Sequence, residues 1–196
     1  MNERDFQDFM TKRNVAVVHF SHHAIMNHKV PFPDDLNHAL QTWDSETRSC
    51  CAVWPYHTMN LPGSVGLLYK PSLSNVISVL PDDSGSSDHG GNERSFGVTP
   101  SLTSLPASLA VPPNSYNEWR ILGAEPVGIF VLDANNIGVK QRQPIPIPEE
   151  LEDTMCDHEL GCSSVDIEFI YSQFPQFDVY TLGSTGLEII GSGGGV

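Results

Sequence analysis

The chain is short of basic residues. Lysine and arginine number 10 against 24 aspartates and glutamates in 196 residues, a formal net charge of −14. A surface of that sign repels a phosphate backbone over most of its area, and the scattered cations form no basic stripe, which argues against nonspecific nucleic-acid binding. Cysteine is scarce too: Cys50, Cys51, Cys156 and Cys162 include an adjacent pair, a poor disulfide framework for a chain this long, and imply a reducing compartment. No apolar run approaches the ~20 residues of a membrane span. The charged start "MNERDFQDFMTKRN" lacks the apolar segment of a signal peptide. A soluble, cytoplasmic protein is expected, any export relying on a machine that reads another signal. No internal repeat is present.

What the chain has instead is punctuation. Fifteen prolines and 16 glycines leave room only for short elements, which excludes a helical bundle. The expected fold class is α+β: one domain over residues 1–190, with at least six strands and about three helices, and a flexible Gly/Ser tail over 191–196. "DFQDFMTKRN" predicts a short helix with Phe6 and Phe9 on one side. "VAVVHF" is a β-branched run that predicts a buried strand ending near His19. "FPDDLNHALQTW" predicts a helix capped by Asp34 or Asp35, with Leu36, Leu40 and Trp43 on one face. "CCAVWP", "SVGLLYKP" and "NVISVL" predict strands. The polar stretch from Pro81 to Ser101 is too long for an ordinary connection and reads as a functional flap or a disordered excursion, and "SLTSLPASLAVPPNS" after it has room for one short helix. "EWRIL" alternates, Trp119 and Ile121 on one face and Glu118 and Arg120 on the other, and "VGIFVLD" is a buried run joined to it by a tight "GAEP" connection. "IPEELEDTM" predicts a helix opened by Pro148. "VDIEFIYSQF" is helix or strand by periodicity, and "DVYTL" and "LEII" are strands.

Eight histidines bring hydrolytic chemistry into view. A nucleophile elbow needs Gly-x-Ser-x-Gly on a strand-to-helix turn; "GSSDHG" has the wrong spacing and no helix after it. Cys50 or Cys51 with His57 would make a thiol hydrolase, although cysteine in an apolar strand is usually a small core residue. Metal ligands drawn from Cys156, Asp157, His158 and Cys162, or from His19, His22 and His23, lack the second short-spaced pair that zinc favours, so no metal is expected. The third arrangement pairs His19, at the end of a buried strand, with Glu118, at the start of another. In a shared cleft, His19 and the hydroxyl of Ser21 would bond sugar oxygens, while the carboxylate would stabilise positive charge on a sugar carbon as its leaving group departs.

The order "VVHFSHH", then at long range "SYNEWRILGAEPVGIFV", resembles the pattern of ADP-ribosyltransferase domains. There a strand ends in His, a middle strand carries a Ser or aromatic motif, and a catalytic Glu opens a later strand after a mobile loop. The resemblance implies two packed, mainly antiparallel sheets forming a cleft flanked by a few helices. It implies that His19 holds the ribose of NAD with Ser21 and His22 beside it, and that Glu118 bonds the 2′-hydroxyl and stabilises the oxocarbenium-like transition state. Tyr116 and Asn117 would meet the acceptor. The middle motif has no direct counterpart; "SCCAVWPYHTM" and "GSVGLLYKP" offer Trp54, Tyr56 and Tyr69 for stacking on nicotinamide. NAD would be a co-substrate and no cofactor would be needed. The acceptor would be a protein, a nucleic acid, a small molecule or water. A toxin or effector with a neutralising partner, delivered into a target cell, is a further implication of the family.

The rival expectation is an acidic binding module, an immunity or adaptor protein that mates with a basic partner. The two differ in geometry. The enzyme requires His19 and Glu118 to converge on one pocket; the binding module predicts them apart.

Overall fold

The computed structural model describes residues 1–22, 30–83, 97–144 and 158–193. In chain order the elements are α1 (Glu3–Arg13), β1 (Ala16–Phe20), α2 (Asp34–Gln41), β2 (Arg48–Val53), β3 (Val65–Tyr69), β4 (Val76–Leu80), α3 (Ser104–Ser108), β5 (Glu118–Ile121), β6 (Pro126–Val131), β7 (Ile137–Pro144), β8 (His158–Val165), α4 (Ile167–Gln173), β9 (Val179–Gly183) and β10 (Gly186–Gly191). The apolar runs of the sequence supply most of the strands. Helix α1 starts where Asn2 accepts the Asp5 amide at 2.9 Å and stops where Asn14 turns left-handed at φ 51°. Its two phenylalanines, Phe6 and Phe9, are buried as their spacing predicts.

Eight strands form one sheet in the order β10-β9-β6-β3-β1-β2-β5-β4, antiparallel at every junction except β6 with β9. The second sheet is the β7–β8 pair alone. The architecture is therefore mixed α+β and mainly antiparallel, with one large and one small sheet where two packed sheets were expected.

Alternation along each strand sorts side chains onto two faces. One face carries Val17, Cys50, Ala52, Leu67, Trp119 and Ile121, and it is covered by Phe6 of α1, Leu36 of α2, Leu105 of α3 and Ile170 of α4. The other carries Val18, Phe20, Cys51, Val53, Leu68 and Phe130, with Met59, Leu61 and Tyr116 packed against it.

Several expectations are corrected. β5 and β6, consecutive in sequence, are not hairpin partners: three strands stand between them, because β5 pairs with β2 and β4 while β6 pairs with β3 and β9. The "GAEP" segment spans the sheet instead of folding a hairpin. Helix α2 has Pro33 at its N-cap position with no side-chain cap; Asp34 and Asp35 lie inside the first turn, where their charge still suits the helix dipole. "VDIEFIYSQF" resolves as helix α4, capped by Asp166, whose carboxylate accepts the Phe169 amide at 2.8 Å. Gly191 belongs to β10, and the Gly193 amide donates to Asp178 at 3.1 Å, so the first residues assigned to the tail are anchored. The expected helix over "IPEELEDTM" and most of the Pro81–Ser101 loop lie outside the described residues. No helix among the described residues is long and apolar enough to cross a membrane.

Candidate functional site

Glu118 is the first residue of β5 and only 5% exposed. Its neighbours on either side lock it. Asn117 donates its amide to the Ala52 carbonyl at 2.9 Å and accepts the Ala52 amide at 2.8 Å, extending the β2–β5 ladder by a side chain. On the other side Trp119, fully buried, donates Nε1–H to the Ser108 hydroxyl at 3.0 Å and packs against Phe6. Asn117 is thus a structural clamp with no exposed surface, where the sequence suggested an acceptor contact.

Trp119 pairs with Cys50 and faces the helices, so alternation directs Glu118 to the opposite face, in register with Leu80 of β4. There it meets Cys51 and Tyr116. Burial pushes the Cys51 thiol well up, with the negative charges of Asp83 and Glu118 adding to the effect. Tyr116 is half-buried; its hydroxyl donates to Asp83 at 2.8 Å, and burial first, then that bond, pushes its pKa up. Ser115 donates to Asp82. The strand entry is thereby tied to the segment after β4, and a carboxylate-rich corner forms around Glu118.

His19 belongs to the other face. It pairs with Leu67 of β3, which packs in the helix-covered core, as does Val17 two residues earlier. Its Nδ1 lies 2.7 Å from the Ser49 carbonyl, which can only accept, so Nδ1 carries the proton. Around it is a cavity of about 230 Å³ lined by His19, Phe20, His22, Val30, Asp35, His38, Ala39 and Arg48. Arg48 is only 8% exposed. It donates to Glu46 at 2.8 Å and to the Thr42 hydroxyl, while its Nε has no partner. Glu46 also lies 3.2 Å from His38 Nε2, and the hydrogen bond from Arg48 holds its carboxyl below the usual range.

His19 and His22 therefore come together, 6.5 Å between ring centres, but Glu118 is across the sheet from them. Ser21 is buried, its amide donating to Val65. The stacking candidates scatter as well. Tyr56 is 82% exposed at φ 65°; Tyr69 is buried on the helix-covered face with its hydroxyl unpartnered; Trp54 packs edge-on to His57 at 5.7 Å. Cys50 and Cys51 are buried and their thiols are pushed up by burial, which leaves neither as the thiolate that a partnership with His57 would use. Of the Cys156–Cys162 metal candidate, Cys156, Asp157 and the His158 side chain lie outside the described residues, as does His23; Cys162 is exposed on β8. No group of three metal-ligating side chains occurs among the described residues. Arg48 and Asp83 were not singled out from the sequence. The signal for Arg48 was present: it is a lone cation at the head of an apolar strand.

Comparison with protein-family models, curated proteins and solved structures finds no match.

Proposed function

We propose that this chain cleaves the nicotinamide–ribose bond of NAD with Glu118 as the reacting carboxylate, passing ADP-ribose to a macromolecular acceptor or to water. The observation that carries this is the setting of Glu118: buried at the head of β5 and held between the Asn117 clamp and the Trp119 anchor. A carboxylate fixed in a low-dielectric site stabilises a developing oxocarbenium without reorganising. The C–N bond breaks, its electron pair leaves with neutral nicotinamide, and the sugar carbon accepts a lone pair from the acceptor, whose proton passes to solvent. The resemblance of "SYNEWRILGAEPVGIFV" to the transferase pattern supports the same assignment. His19 is not part of this centre, because the strand register puts it on the other face; groups on the Tyr116 side would hold the ribose.

The second reading, an acidic binding module, is favoured by that same separation of His19 from Glu118. One experiment distinguishes them. The purified protein is incubated with NAD and a cell lysate, and nicotinamide release and ADP-ribose labelling are followed for wild type and Glu118→Gln. The enzyme reading expects release that falls at least 100-fold in the variant, since the amide keeps the shape and loses the charge. Full activity in Glu118→Gln, or no release from a folded wild type, overturns it, and the latter result favours the binding module.

A further inference from the structure

We infer that the cavity bounded by the C-terminal half of α1, the start of β1, the end of β3 and the start of β10 binds a small carboxylic acid with an apolar body, whose carboxylate is held by Lys70. This site does not depend on the reaction assigned to Glu118.

Helical spacing turns Gln7, Met10, Thr11 and Asn14 toward one side of α1, while Phe6 and Phe9 enter the core. Against this stripe, the pairing of Val17 with Tyr69 brings Ala16 beside Lys70. Alternation puts both on the face away from Val17, where Leu187 also packs. Met10, Val15, Ala16 and Leu187 give the cavity an apolar floor, and its volume of about 250 Å³ has room for about eight groups of water size at ~30 Å³ each. The chain carries 24 acidic residues against 10 lysines and arginines, yet this lining holds a lysine and no carboxylate. Lys70 is exposed and forms no ion pair among the described residues, so its ammonium is uncommitted. The Thr11 hydroxyl and the Asn14 side-chain amide also make no hydrogen bond among the described residues and can serve as neutral donors beside it. Gln7 is a wall only, its amide hydrogens spent on Glu3 at 2.7 Å and on the Pro71 carbonyl at 3.3 Å. The groups that would repel an anion are occupied. At the end of α1 the Met10 and Thr11 carbonyls accept the Asn14 and Val15 amides, and Glu3 accepts the Leu73 amide at 2.8 Å. A lone ammonium beside neutral donors matches a monoanion, and the apolar floor takes the rest of the molecule. The net charge of −14 opposes any anion at a distance, so the affinity expected is that of a fragment.

The test titrates the full chain with hexanoate, hexanol and hexylamine, which fit that volume and differ in charge, at constant pH and ionic strength, following methyl and amide NMR shifts. Saturable binding of hexanoate is expected, with shifts centred on Met10, Ala16 and Leu187. Hexanol should bind about tenfold more weakly, the worth of a charge-assisted bond, and hexylamine should not bind. Lys70→Met should bring hexanoate down to the affinity of hexanol, and Lys70→Arg should restore it to within about threefold of wild type. Thr11→Trp, at an exposed helix position, should fill the cavity and abolish binding of both acid and alcohol. Glu118→Gln should bind as wild type does, which keeps this result separate from the nicotinamide assay. Absence of saturable hexanoate binding to the folded wild type, hexylamine binding as tight as that of hexanoate, or hexanoate binding unchanged in Lys70→Met overturns the inference.

Discussion

Two adjacent cysteines show how little separation along the chain says about surroundings. Cys50 faces the helix-covered core with Trp119, and Cys51 faces the other way with Val18 and Phe130. Burial raises both thiol pKa values, so the folded chain keeps protons that an unfolded thiol releases above about pH 8.5. The unfolded state then binds fewer protons than the native state. The stability contributed is full below that pH and declines as pH rises, by at most about 1.4 kcal/mol per pH unit for each thiol. Urea midpoints measured between pH 7.5 and 10 should fall, and the fall should be shallower in a Cys50→Ala, Cys51→Ala double variant. Identical slopes for the two proteins would mean that the thiols are not protected. The same alternation explains why the candidate site was only half legible. The sequence shows that Glu118 and Trp119 point to opposite sides of their strand. It does not show that Trp119 shares a face with Val17 and therefore with His19. That requires the registers of β1 with β2 and of β2 with β5, which depend on long-range pairing.

At the scale of elements, the legible parts were those with a strong local signal. Apolar runs gave β1, β3, β4 and β6, and phenylalanine spacing gave α1, whose Asn caps were not read from the sequence. The strands β7 and β8 were missed because "IGVKQRQP" and "HELGCSSV" are mostly polar and carry no sustained apolar alternation, although they pair over eight residues. Among the described side chains of the pair, Ile137 and Val139 are fully buried and Val165 packs against the same core, which marks the inward face. The β5–β6 hairpin was a local inference overruled by the partners each strand finds elsewhere in the sheet. One glycine shows how closely the central strands are fitted. A Cβ at Gly66 in β3 would sit 2.4 Å from the His19 carbonyl oxygen and 2.8 Å from a Val18 methyl. The backbone oxygen cannot retreat without parting β1 from β3. Gly66→Ala should therefore destabilise by about 1–3 kcal/mol, as overpacking does, and should also shift the His19 ring signals in NMR spectra. An unchanged denaturation midpoint would show that the pair can spread at no cost.

For the whole molecule, charge is the property most exposed to the surroundings. A net charge of −14 on a chain of 196 residues repels itself, and salt shortens the reach of that repulsion. Sodium chloride from 20 to 300 mM should raise the urea midpoint, since the described ion pairs that salt would weaken are few and mostly exposed. A midpoint that falls with salt would mean that local pairs such as Arg48 with Glu46 outweigh the global repulsion. The acid excess also bears on partners, because a basic partner would be drawn in faster at low salt whichever reading of Glu118 holds.

The sole parallel junction of the large sheet, β6 against β9, sets the order in which that sheet can be completed. β6 ends at Val131, yet the strand that covers its outer side begins at Val179. On a ribosome the outward amides and carbonyls of β6 wait, unsatisfied, while the intervening chain is made. Nascent chains stalled in that interval should be the ones most prone to pair with one another, edge to edge, before the C-terminal hairpin arrives to close the sheet.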